Sequence, residues 1–248
     1  MAEGKKAVQH LPLKENIFDF LHERIIAGQY APGEWLRQED ISSRLGVSMT
    51  PVREALDLLV SAGLAERVPY RGVRVLRPSA TEMADSYTMR LLLESAAVHA
   101  AALHITQAQL SQLEEILAQS RSLVKLKDMS SQRVLNRELH GTIAAASGNP
   151  LLHRTYMTVL NTFPDWMLYE YMFRHPELLD SSMRSEHAEH RVIVEALAAH
   201  DADLAVQRTV AHLANRGREL EAYLGVPGEL IRAAEAHALP LLARFTKV

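Results

Sequence analysis

The stretch Leu45–Val75 reads LGVSMTPVREALDLLVSAGLAERVPYRGVRV. Gly46 closes a short helix on its N-terminal side, and Ser48 is a residue type that caps helix N-termini. Pro51 falls in the first turn of the next helix, where its missing N–H costs nothing. Val52, Leu56 and Leu59 recur at helical spacing and so share one core-facing side. The pattern runs to about Ala62, with Gly63 as the stop. Leu64–Val68 and Val73–Leu76 then read as two short strands around Pro69-Tyr70-Arg71-Gly72. Helix, glycine turn, capped helix and hairpin is the plan of a winged helix-turn-helix.

Upstream, Ile17, Phe18, Phe20, Leu21, Ile25 and Ile26 mark the apolar face of a first helix that Gly28 stops, and a second helix spans about Gln38–Leu45. Met1–His10 is polar and aperiodic, which predicts a loose tail. From Ser79 onward no strand pattern occurs. Helical periods dominate to Leu224, interrupted near Thr106, Asp128, Gly148-Asn149-Pro150, His175-Pro176 and His200-Asp201. That predicts about six helices in a bundle, with one more after Gly225-Val226-Pro227-Gly228. The fold class is therefore mainly α. A flexible tail (1–13) precedes a winged helix-turn-helix (14–77), and an all-helical domain (78–248) follows the junction Arg77-Pro78-Ser79.

Composition narrows the function. The 248 residues are 48% hydrophobic and 23% charged, enough for packed cores. Residues 1–77 carry 11 Lys+Arg against 10 Asp+Glu, and the remainder carries 16 against 20, for a net charge of -3. DNA binding must then rest on a motif and a local basic face, not on bulk charge. The absence of cysteine excludes disulfide scaffolds, zinc fingers and thiol nucleophiles. No run approaches a membrane span and no signal-peptide core opens the chain, so a cytoplasmic location with no membrane partner is expected.

In a winged helix-turn-helix the second helix of the pair enters the major groove by its N-terminal end. Here that end carries Ser48, Met49, Thr50, Pro51, Val52 and Arg53. Ser48 and Thr50 can donate to phosphates or base edges, and Arg53 can take a guanine or a phosphate bidentately. Arg71 and Arg74 bring charge to the wing, and Gly72 lets backbone approach DNA closely. The plain alternative is a small helical domain whose arginines are merely solvated.

A second constellation is built of histidines. Asn136 and His140 are i and i+4 and share a helix face. His190 and His212 lie in two further helical patterns. Three imidazoles and one oxygen would suit Zn, Ni, Mn or Fe. With 12 histidines in the chain, the alternative is that these are ordinary surface or core residues. His187, one turn before His190, reads as exposed. Trp166, Tyr169 and Met172 read as core or interface and not as part of a ligand cage.

Ile25-Ile26-Ala27-Gly28, Pro32-Gly33-Glu34-Trp35-Leu36 and the long ungapped run Leu45–Val75 resemble the DNA-binding domain of GntR-family transcription regulators. Within that family, the branch resembled has a FadR-type (FCD) effector domain. The resemblance implies DNA contacts from Ser48, Thr50, Arg53 and Gly72, with Arg37 a further candidate. Met49 stands where the family more often has arginine. It cannot donate a hydrogen bond but can contact a thymine methyl.

In the second half, NRELHGTIAAASGNPLL (136–152) and EHRVIVEALAAHDADLAVQRTVAHL (189–213) are similar to the family segments that carry metal ligands. The resemblance thus implies Asn136, His140, His190 and His212 as the ligands. Asn136 replaces the more usual aspartate. YTMRLLLESAAVHAAA (87–102) is similar to the family's first effector-domain helix. On it, Arg90 and Glu94 read either as an intrahelical ion pair or as a pocket in which Arg90 clamps an effector carboxylate. In the family context the clamp is preferred for Arg90, with Glu94 only an intrahelical ion-pair partner. Asn215, one turn past His212, is a further candidate for the same pocket. The short link after the wing is more similar to the VanR-like subgroup.

The resemblance implies a homodimeric, non-enzymatic regulator, more commonly a repressor, whose affinity for operator DNA changes when a small carboxylate effector binds. The competing readings are a metalloenzyme and a purely structural or metal-sensing site.

Overall fold

A computed structural model describes residues 12–243. The expected tail therefore lies almost wholly outside the described residues, and helix α1 (Leu13–Ile26) begins inside its proposed end. Two compact units divide at Leu76–Arg77, with Ile26–Gly28 grouped with the second.

In the first unit, α1 is followed by α2 (Gln38–Leu45), α3 (Met49–Ser61), β1 (Ala65–Val68) and β2 (Gly72–Val75). Ile17, Leu21, Ile25, Ile41, Val52, Leu56 and Leu59 are buried, at the helical spacing read from the sequence. Phe18 and Phe20 are only half-buried; Phe18 stacks on His22, and Arg24 lies over the Phe20 ring at 4.2 Å. Gly46 adopts the left-handed conformation that ends α2. The strands pair antiparallel, with Ala65 opposite Val75 and Val68 opposite Gly72. The segment before α2 adds to the free edge of β2, since Leu36 N–H donates to Val73 O and Val75 N–H donates to Glu34 O, both at 2.9 Å.

The second unit holds α4 (Ala80–His104), α5 (Gln107–Ser122), α6 (Met129–Ala146), α7 (Pro150–Thr162), α8 (Asp165–Arg174), α9 (Pro176–Ala198), α10 (Ala202–Leu224) and α11 (Gly228–Ala238). Ser79 opens α4 with a reciprocal capping box to Glu82. Seven helices, not about six, thus lie between Ala80 and Leu224. The break missed in the sequence is Phe163-Pro164. A residue before proline is pushed out of the α region, and Phe163 is extended at φ -71, ψ 132. That break starts α8 at Asp165.

Helix α4 packs against α6, α7, α9, α10 and α11. Small residues on its buried side (Ala97, Ala101, Ala102) allow close approach. Leu113, Leu139, Ile193, Leu197 and Val206 fill one core around it, and Tyr87, Leu91, Leu213, Leu220 and Ile231 fill another.

Gly217 on α10 sits against Tyr87. A Cβ there would lie 2.7 Å from the Tyr87 hydroxyl and 3.2 Å from Ile231 Cγ2. Tyr87 is fully buried and donates its hydroxyl to Glu235 on α11 at 3.0 Å, so it has little freedom to yield. Overpacking typically costs about 1–3 kcal/mol, against roughly 1 kcal/mol gained by replacing a mid-helix glycine. Gly217→Ala is therefore expected to lower the thermal midpoint, as read by a circular-dichroism melt. An unchanged or raised midpoint would contradict this packing.

Candidate functional site

In the first unit, the residues at the leading end of α3 point away from the core. Ser48, Met49, Thr50 and Arg53 are exposed, while Val52, Ala55, Leu56 and Leu59 beneath them are buried. Ser48 has N-cap backbone geometry, but its hydroxyl makes no capping hydrogen bond. The sequence reading of Ser48 as a working cap is thus corrected, and the hydroxyl stays available to a ligand. Arg53 forms no ion pair among the described residues. Arg37, Arg71 and Gly72 are brought together, lining an open cleft with Trp35 and Leu36. The Arg71 guanidinium lies 6.0 Å from the Trp35 ring centroid. Gly72 has φ 111 and open space where a Cβ would stand, so backbone is accessible there. Arg74 is not a free charge as the sequence suggested. It pairs with Glu66 across the hairpin at 2.7 Å, as opposed residues on neighbouring strands do. Tyr70, read in the sequence only as part of the turn between the strands, is fully exposed at the wing tip with φ 61.

The second unit gathers the histidines. His140 on α6, His190 on α9 and His212 on α10 are all buried. Their ring centroids lie 5.0, 4.7 and 5.4 Å apart. Each offers a ligand nitrogen within 4.8 Å of the others. The Nε2 atoms of all three are buried without a hydrogen-bond partner, and so is Asn136 Oδ1 one turn before His140.

The outward nitrogens are engaged. His140 Nδ1 meets Glu94 Oε1 at 2.6 Å, and His212 Nδ1 meets Glu189 Oε2 at 2.8 Å. A carboxylate on Nδ1 keeps the proton there and leaves the Nε2 lone pair facing the cluster. Burial, with neighbouring imidazoles adding, holds the pKa of His190 and of His212 well below the ordinary histidine range. Both are therefore neutral near pH 7, as ligands must be.

The orphaned atoms make a test of fit. Buried polar atoms are rarely left without partners. Three converging imidazole nitrogens and one amide oxygen match the donor set of a divalent transition ion. Of the sequence-expected ligands, His140, His190 and His212 fit such an ion, and Asn136 adds a buried, partnerless oxygen one turn before His140.

Glu94 is the residue whose role the sequence reading misjudged. It is buried, and the pair with Arg90 is only part of its role. Its Oε2 accepts from Arg90 Nη2 at 2.9 Å, from Arg90 Nε at 3.2 Å and from the Tyr156 hydroxyl at 2.9 Å, while Oε1 meets His140. Burial alone would raise its pKa, but Arg90 and His140 outweigh that and hold it well below the usual carboxylate range.

A narrow cavity of about 10 Å³, room for about one water, adjoins the cluster, lined by Arg90, Asn136, Asp165, Glu186, His212 and Arg216. Arg90 thus reaches the cavity while bonded to Glu94, with its guanidinium 4.5 Å from the Phe163 ring. Tyr169 and Met172 also line the cavity, against the expectation of a purely core role; Trp166 is core.

Asn215 does not line this cavity. It faces a separate cleft, donates to Glu189 and accepts from Arg218. It steadies the carboxylate that orients His212. Arg216 takes the place expected of Asn215. It is buried, 3.5 Å from Glu186 and 2.8 Å from Glu219. Its i+4 spacing from His212 was a usable signal. His187 is half-buried, not exposed, and burial lowers its pKa.

A winged helix-turn-helix with an exposed polar recognition end, followed by a helical bundle that encloses a polar cavity, defines a two-domain DNA-binding regulator. Residues 13–75 match the family described as "Bacterial regulatory proteins, gntR family", and residues 85–215 match "FCD domain". The chain belongs to the GntR family and carries an FCD domain. It is a DNA-binding transcription regulator and not an enzyme. The HTH-type transcriptional repressor RspR of Escherichia coli is 28% identical over 82% of this chain and 86% of its own length. The probable D-xylose utilization operon transcriptional repressor of Paenarthrobacter nicotinovorans is 26% identical, over 86% and 91% respectively. The solved E. coli McbR/YncC has the same fold, with a TM-score of 0.64 at 21% identity, covering 85% of this chain and 98% of that one. Among the described residues, no helix is long and apolar enough to cross a membrane.

Breaking the buried network should be costly. Glu94→Ala leaves Arg90 without its counter-charge, and removing one partner of a buried pair typically costs about 3–5 kcal/mol. Urea unfolding of the metal-free variant is expected to show a loss of that order. A loss below about 1 kcal/mol would place the pair in water.

Proposed function

We propose that this chain is a homodimeric, cytoplasmic repressor whose affinity for operator DNA is changed by a small organic acid bound at a metal-containing site in the helical domain. The observation that carries the reading is the convergence of three buried, partnerless Nε2 atoms beside a cavity that two buried arginines line. Relatives named as repressors support the sign of regulation.

In this reading Asn136, His140, His190 and His212 hold a divalent ion, with Zn, Ni, Mn and Fe the candidates. The ion supplies a positive charge and open coordination positions for an anion. Imidazole and amide donors carry no negative charge, so none of the four offsets that of the ion. Glu94 and Glu189 orient two of the imidazoles through Nδ1. Arg90 and Arg216 add cationic hydrogen-bond donors at the cavity wall, Arg216 taking the role first assigned to Asn215. The effector acts by binding two states of the protein unequally, since equal binding would shift nothing.

On DNA, the dimer places two α3 helices in successive major grooves of a near-palindromic operator. Ser48, Thr50 and Arg53 reach base edges or phosphates, Met49 makes an apolar contact, and Arg37, Arg71 and Gly72 approach the backbone.

Two measurements test this. Elemental analysis of the purified protein should find about one transition ion per chain. The double variant His140→Ala/His190→Ala should hold none, and stoichiometric metal in a folded sample of it would overturn the ligand assignment. Separately, Arg53→Ala should weaken operator binding by about tenfold or more, corresponding to a lost base contact of roughly 1–3 kcal/mol, while the melting temperature stays unchanged. Wild-type affinity in that variant would remove α3 from the DNA interface.

A further inference from the structure

Met49 differs in chemistry from the exposed residues beside it at the leading end of α3. Ser48, Thr50 and Arg53 each carry a hydrogen-bond donor, and Met49 carries none. It is the first residue of α3 and is 45% exposed, among the large apolar side chains that the fold leaves in water. The core beneath does not use it. Val52, Ala55, Leu56 and Leu59 fill the buried side of the helix and are themselves fully enclosed.

A helix that enters the major groove by its N-terminal end brings its first residues nearest the base edges. The Ser48 hydroxyl, free of any capping bond, and the first N–H groups of α3 can serve phosphates or polar edges there. A thioether cannot. Pressed on a purine N7 or O6, or on an exocyclic amine, it displaces water from a polar atom and returns at most a weak hydrogen bond. The C5-methyl of thymine is the one apolar group that the four unmodified bases present in that groove. Methionine is unbranched and polarisable, so it can follow a methyl group closely.

We infer that Met49 selects the operator by reading a pyrimidine 5-methyl group, so that each half-site holds a thymine at the base pair this side chain covers. The inference rests on the proposed docking of α3 and adds the base that is read at one position. Discrimination comes from both sides. A thymine gains an apolar contact, and a cytosine at the same place offers no methyl and loses hydration at its N4 amine. A cytosine that carries the 5-methyl group regains the contact. Thr50 also ends in a methyl group, so the variant that decides is one at Met49.

The test uses the full chain and the duplex it selects most tightly from a random-sequence library. Each thymine of that duplex is replaced singly by deoxyuridine, which removes the methyl and keeps every hydrogen-bonding group. Affinities are read by fluorescence anisotropy at one fixed salt concentration, because binding to DNA varies steeply with salt. At one position in each half-site the replacement should weaken wild-type binding about fourfold, the size expected for one buried methyl group. At that position 5-methylcytosine should bind more tightly than cytosine by a similar factor. Met49→Ala should bind the thymine and deoxyuridine duplexes equally there, with its response to the other replacements unchanged. Met49→Gln keeps the length of the side chain and should lose the same methyl effect, so it decides the matter even if Met49→Ala does not fold. If no thymine methyl affects wild-type binding, or if the effect persists in either variant, the inference is overturned and the docking of α3 stands. A loss of affinity in Met49→Ala that is the same for every duplex would place the side chain on sugar or phosphate and also overturn it. If the wild type selects no duplex from the library, the docking reading fails and this inference fails with it.

Discussion

A carboxylate taken out of water must be paired, or it will neutralise itself by taking up a proton. Glu94 meets that constraint by tying three helices together. Its own helix α4 supplies Arg90, α6 supplies His140, and α7 supplies Tyr156. Each partner is itself buried, so none can withdraw to solvent and leave the others satisfied. The position of α4 against α6 and α7 is consequently fixed by charge as well as by packing. The same carboxylate orients the His140 ring. Loss of Glu94 would disturb both the bundle and the cluster, and the two effects share one cause.

Glu189 repeats the device on the other side of the cluster. It sits on α9 next to His190, yet it serves His212 on α10, with the Asn215 amide as its second donor. Two histidines are thereby set in the same tautomer from outside the cluster. The inward faces are then left with three imidazole nitrogens and an amide oxygen. A cation there would gain no anionic partner among the four donors. On the proposed reading, an arriving organic anion supplies the missing charge, so affinity for the ion and affinity for the acid rise together.

The sequence was most legible where function and fold coincide locally. Gly46, Ser48, Pro51 and Gly63 punctuate α2 and α3 through backbone rules that act within a few residues, and those boundaries appear in the structure nearly as read. The histidines were findable because i, i+4 spacing and repeated helical patterns are also local. What could not be read depends on how helices cross. Arg90 and Glu94 were visible as an i, i+4 pair, but their weight turns on burial. Exposed, such a pair is worth a few tenths of a kcal/mol; buried, it governs the helix. Glu189 and Asp165 find their partners on other helices, 23 and 32 residues away. Asn215 was placed on the wrong side because one turn of α10 presents two faces, and Arg216, the next residue, occupies the inward one.

The position of α4 in the chain gives the network its reach. Val75 ends the second strand of the wing, and Ala80 begins α4, with residues 76–79 between them. Four residues span at most about 14 Å, and the Ser79–Glu82 capping box fixes where the helix starts. Arg90 lies between that start and Glu94, on the cavity wall. On the proposed reading, a ligand that draws on the Arg90 guanidinium must share it with Glu94. Any redistribution of those hydrogen bonds is felt by His140 and Tyr156 through the same carboxylate. The energy available to such a switch is bounded by the difference between the ligand's affinities for the two arrangements. A buried network with few alternative pairings converts small shifts at the ligand into discrete ones along the helix.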